Sequence, residues 1–118
     1  MKLIVAGSRH INDPEIVEEA LEQSPWWDTK VTLIEGGCQG VDRVARELWL
    51  EWGWEAKTFH ADWRAHGGAA GPMRNQQMAE EGDALLAIWD LKSRGTKDMV
   101  NRALKQGLPV FIWPVVEV

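Results

Sequence analysis

Four short apolar runs, separated by segments with helical spacing, constrain this chain more than any other feature. "KLIVAGS" (Lys2 to Ser8), "VTLIE" (Val31 to Glu35), "ALLAIW" (Ala84 to Trp89) and "PVFIW" (Pro109 to Trp113) are apolar without strict alternation, as strands covered on both faces are. Between the first two, Ile16, Val17, Ala20 and Leu21 recur at helical spacing behind Asp13 and Pro14, an N-cap residue followed by proline at the first helical site. Val41, Val44, Ala45, Leu48 and Trp49 share one face of a second helix that stops at Gly53. A weaker strand is expected over "EAKTFH", a third helix from Pro72 to Glu81, and a fourth from Thr96 to Gln106, ended by Gly107. The predicted order is βαβαβαβαβ. Such alternation implies an α/β domain with a mainly parallel sheet, because right-handed crossovers lay helices over both faces and give three layers.

The 118 residues suit one domain, 1–118, with no repeat, linker or low-complexity segment. Hydrophobic residues at 45% and charged residues at 26% are ordinary for a globular chain and argue against extensive disorder. The lone Cys38 forms no internal disulfide, and the run "LIVA" ends at Gly7, too soon for a signal peptide or membrane span. A cytoplasmic protein without membrane contact is expected. The formal charge of −5 opposes non-specific attraction to polyphosphate, so any anion site depends on local placement.

That placement is uneven. In a parallel sheet the strand-to-helix turns emerge at one edge, where open α/β folds bind ligands. Those turns are "GSRHIND", "GGCQG", "ADWRAHGGAAGPMRN" and "DLKSRGT"; the opposite edge carries "SPWWDTK", "GWE", "GD" and "GLP". Five of the seven arginines (Arg9, Arg43, Arg64, Arg74, Arg94) fall in or just after the first group, joined by Lys92 and Lys97. Glycine lets backbone N–H groups approach an anion, and each helix start adds unpaired donors, so phosphate is the expected guest. "GGCQGVD" is not the dinucleotide GxGxxG, and "SRGTK" lacks the spacing of a Walker P-loop.

"GSR", "GGCQGVDRVA", "ADWRAHGGAAGPMRN" with Met78, and "SRGTKDMVNRA" resemble, in order, the motifs of the YspA-type family of small Rossmann-like domains. That family belongs to the SLOG superfamily, with the Lonely Guy phosphoribohydrolases and the DNA-processing protein DprA. The resemblance implies a Rossmann-like fold that binds a nucleotide or nucleotide-derived ligand at these loops, as a sensor or a hydrolase, with no cofactor. By motif it implies that Gly7, Ser8 and Arg9 line the site and that Gly36, Gly37, Gly40 and Asp42 cradle phosphate or ribose. Arg74, Asn75, Gly95 and Thr96 complete it. Lonely Guy enzymes carry a PGGxGTxxE motif whose glutamate cleaves the base–ribose bond; Met99 stands at that position here, with Asp98 beside it.

Other residues admit two readings each. Asp42 either favours a helix dipole or meets ribose, and Asp42 or Asp98 is the catalytic carboxylate if there is one. Trp63 either stacks on a base or caps the core; His66 is an acid–base candidate or an exposed loop residue; Cys38 is a weak nucleophile candidate. Trp49, Trp52 and Trp54 read as packing residues, and Trp26 and Trp27 as a turn or a contact within a homo-oligomer. The histidines and Cys38 lack metal-ligand spacing, so no metal is expected. The alternative function is a DprA-like module for single-stranded nucleic acid, disfavoured by the acidic balance.

Overall fold

The computed structural model describes residues 1–27 and 30–116. Five strands, β1 (Lys2–Gly7), β2 (Thr32–Glu35), β3 (Ala56–Thr58), β4 (Ala84–Trp89) and β5 (Val110–Pro114), form one sheet. Their order is β3-β2-β1-β4-β5, and every pairing is parallel. The helices are α1 (Pro14–Gln23), α2 (Val41–Glu51), α3 (Trp63–His66), α4 (Ala70–Glu81) and α5 (Arg94–Lys105). The fold is a Rossmann-like α/β architecture.

The continuous apolar strands are explained by two cores, one on each face. Leu3 and Val5 point into one, with Leu33, Leu86 and Ile88, against α1 and α2. Ile4 and Ala6 point into the other, with Ile34, Leu85 and Ala87, against α4 and α5. A period of two therefore runs along each strand, hidden in the sequence because both faces are apolar. At the far end of the first core Trp49 is fully buried and packs on Trp52 and Trp54, with ring centroids 5.6 and 5.8 Å away. Its indole N–H donates to the Val31 carbonyl at 3.1 Å. Trp27 packs edge-on against Trp52 at 6.4 Å. "SPWWDTK" lies partly outside the described residues.

Several boundaries differ from expectation. Val31 stands before β2, β3 is confined to Ala56–Thr58, and β5 runs from Val110 to Pro114. The helix expected from Pro72 begins at Ala70, because proline lacking an N–H is tolerated throughout a first turn. The helix expected from Thr96 begins at Arg94, with Ser93 as N-cap. "DWRAHGGAA" contains α3 and a 3₁₀ turn over Gly67–Ala69. Asp62 nucleates α3 by accepting a hydrogen bond from Ala65 N–H at 3.1 Å. No helix among the described residues is long and apolar enough to cross a membrane.

Candidate functional site

β1 and β4 are neighbours, yet the chain leaves them for opposite sides of the sheet. Their C-terminal ends thus form a switch point, where an open crevice is unavoidable. A cavity of about 480 Å³ opens there, with Gly7 and Arg9 from the β1 end, Asp42 from α2 and Asn75 from α4 on its wall. The first turn of α5, Arg94 to Thr96, closes one side, and Met78 and Met99 form an apolar floor. A second cavity of about 450 Å³ adjoins it, lined by Gly37, Gln39, His60 and Trp63 among others. Arg9, Cys38 and Arg74 border both.

The glycine turn after β2 is held by two carboxylates. Asp42 Oδ2 accepts from Gly36 N–H at 3.1 Å and Cys38 N–H at 3.3 Å, while Glu35 Oε1 accepts from Gly37 N–H at 2.6 Å. The Thr58 hydroxyl donates to the other oxygen of Glu35, which is fully buried. The amides expected to cradle phosphate at Gly36 and Gly37 are thus already satisfied by the protein's own carboxyl groups. Burial, and then the charge of Glu35, push the Asp42 carboxyl up to about 7; hydrogen bonds from Cys38 and Gly36 and the Arg74 charge only partly offset this.

The glycines here serve close approach. Gly40 has φ +81, and a Cβ on it would overlap the carbonyl oxygens of Ser8 and Arg9, so it lets α2 start directly beneath the β1 loop. Gly36 leaves room for the Arg74 guanidinium, 2.8 Å from where its Cβ would stand.

Arg74 is buried, and each of its three guanidinium nitrogens makes one hydrogen bond. It donates to the Gly36 carbonyl, to Asn75 Oδ1 at 3.0 Å and to Cys38 Sγ at 3.8 Å. Asn75 in turn donates to Gly95 O at 3.3 Å and Asp98 Oδ2 at 2.9 Å, and Asp98 receives Arg102 Nε at 2.9 Å. This chain of bonds fixes α4 to α5 and to the glycine turn.

On the other flank Ser8 is fully buried. Its hydroxyl accepts from Asp90 N–H and lies 3.1 Å from the Ser93 hydroxyl, tying the β1 loop to the β4 loop. Partial burial pushes the Asp90 carboxyl up, but hydrogen bonds from Ser93, Lys92 and Ser8 outweigh it and hold it down at about 2. No side chain caps the first-turn amides of α5, whose residues Arg94, Gly95 and Thr96 line the cavity, while just ahead of them Ser93 N–H donates to the Asp90 carboxylate at 2.7 Å. Arg9 and Arg94 are exposed, and neither side chain has a hydrogen-bond or ion-pair partner among the described residues. Gly95 faces open space, with nothing within 4 Å of a built Cβ.

A family model described as "YspA, cpYpsA-related SLOG family" matches residues 1–66. The Gene 61 protein of Mycobacterium phage D29 is 33% identical over 122 residues, covering 93% of this chain and 94% of its own. The chain belongs to the YspA, cpYpsA-related SLOG family. The DNA processing protein A (DprA) of Streptococcus pneumoniae has the same fold, with a TM-score of 0.80 and 17% identity. That match covers 99% of this chain and 51% of DprA, so the chain spans about half of that protein. A second solved structure, TM1055, superposes with a TM-score of 0.71 and 18% identity, covering 92% of this chain and 71% of its own.

In this SLOG chain, Gly7, Arg9, Asp42, Arg74, Asn75, Gly95 and Thr96 line the first cavity. Arg9, Gly36, Gly37, Trp63 and Arg74 line the second. Ser8, Gly40 and Asp98 line neither: Ser8 ties two loops together, Gly40 packs backbone on backbone, and Asp98 is turned to Asn75 and Arg102. His66 is exposed on α3 and borders neither cavity. Among the described residues no three His, Cys, Asp or Glu side chains gather as a metal site would require. Glu35, His60 and Ser93 were missed by sequence reasoning. A signal existed only for Glu35, a carboxylate ending a buried strand, where a charge needs donors close by.

Proposed function

We propose that this protein binds a nucleotide or nucleotide-derived small molecule in the first cavity, with phosphate against the first turn of α5 beside Arg9 and Arg94. The observation that carries the reading is the cavity wall itself, which combines a helix N-terminus without a side-chain cap, two guanidiniums with no partner among the described residues, and an apolar floor suited to a base. Phosphate is assigned to α5 because, in the turn after β2, the Gly36, Gly37 and Cys38 amides already donate to Asp42 and Glu35. Asp42 faces the same cavity and is placed to accept from a ribose hydroxyl or to exchange a proton near neutrality.

Binding without bond cleavage, as in a sensor, is the favoured form. Met99 puts an apolar side chain into the cavity at the position of the Lonely Guy glutamate, and Asp98 is held by Arg102 and Asn75. Titration calorimetry with AMP, ADP, GMP and UMP tests the binding: at least one should bind, about tenfold more weakly to Arg9→Ala. Gly95→Leu, which fills the cavity, should abolish it. Failure of the wild type with the whole panel, or undiminished binding by Gly95→Leu, overturns the assignment. Release of free base or phosphate on incubation overturns the sensor form and points to Asp42.

A further inference from the structure

The two cavities are close in size, about 480 and 450 Å³, and each falls within the range of about 300–1,000 Å³ typical of a small-molecule site. They meet at Arg9, Cys38 and Arg74. The two arginines differ in what they have left to offer. Arg74 is buried, and each of its guanidinium nitrogens is already bonded once, to Gly36, Asn75 and Cys38. Arg9 is exposed on the shared border without a partner among the described residues, and the 3.1 Å contact between Ser8 and Ser93 sets it next to the start of α5.

Beyond that border the chemistry changes. The second cavity presents the Trp63 indole, the His60 imidazole and the Gln39 amide, with no apolar floor like Met78 and Met99. Trp63 is 53% exposed, yet its ring lies over Gly71, 3.3 Å from where a Cβ would stand, so α4 supports it from behind. A supported aromatic face beside hydrogen-bonding side chains suits a second ring or sugar.

We infer that the ligand is two-headed: a nucleoside in the first cavity, a pyrophosphate at Arg9, and a second sugar or nucleoside against Trp63 in the second cavity. This rests on the nucleotide reading above and narrows its ligand class to nucleoside diphosphates esterified at the terminal phosphate. Cleaving the ligand is no part of the inference.

The test compares ADP with ADP-glucose and diadenosine pyrophosphate by titration calorimetry. At least one two-headed probe should bind about tenfold more tightly than ADP. In Trp63→Ala that ratio should collapse to about one. Equal affinity of ADP and both two-headed probes overturns the inference and leaves the nucleotide reading standing, as does a preference that survives Trp63→Ala. If neither ADP nor the two-headed probes bind, the inference fails together with the reading beneath it.

Discussion

The guanidinium of Arg74 occupies the space that a side chain at Gly36 would need, and donates to the carbonyl of that same residue. The two are 38 residues apart in the chain, and each accounts for the other. Gly36→Ala should therefore cost about 1–3 kcal/mol, the usual range for overpacking a tight site. Arg74→Ala should cost about 1–3 kcal/mol by leaving polar groups unpaired. In urea denaturation the double variant should lose less than the sum of the two, because removing Arg74 also removes the clash.

Asp42 and Asp90 should pull stability in opposite directions with pH. Asp42 titrates near 7 in the folded protein against an ordinary 3.8, so between those values the folded state holds a proton that the unfolded state has released. Its contribution falls as pH rises from about 4 to about 7. Asp90, held at about 2, contributes fully above the ordinary carboxylate value of 3.8 and loses that contribution as pH falls towards 2. Melting curves across pH should show the neutral-side decline flattened in Asp42→Asn and the acid-side loss reduced in Asp90→Asn.

Gly95 stands in the first turn of α5 with empty space where a side chain would go. Gly95→Ala should raise stability by up to about 1 kcal/mol through lower chain entropy in the unfolded state. Thermal denaturation checks this without ligand. Loss of stability would show that the first turn of α5 requires glycine for a backbone reason.

Trp49 carries much of the packing at the far end of the first core. Trp49→Ala should cost about 3–5 kcal/mol, as large aromatic truncations do. Trp49→Phe keeps most of the apolar contact but orphans the Val31 carbonyl, a loss of about 1–3 kcal/mol. Chemical denaturation should separate the two.

A formal charge of −5 sets the expectation for single-stranded nucleic acid. Gel shifts with a mixed-sequence oligonucleotide should show no retention at about 0.15 M salt. Retention that falls steeply with added salt would favour the nucleic-acid reading over the small-molecule one.

Much of this was legible in the chain. Continuous apolar runs separated by helical spacing specified a parallel sheet, because strands buried on both faces have no polar side to display. Asp13 and Pro14 marked the start of α1, and Asp13 does accept from Glu15 N–H at 2.9 Å. Sorting loops by sheet edge brought Arg9, Asp42, Asn75 and Gly95 to one rim, as the first cavity shows. The tertiary structure alone decided which polar groups are spent and which are free. Gly36 and Gly37 looked like phosphate donors until Asp42 and Glu35 took their amides, and Asp98 looked catalytic until Asn75, 23 residues away, and Arg102 turned it aside. Local spacing says where a group emerges, but a hydrogen bond is saturated by whichever partner the fold delivers, and that is settled only when distant segments meet.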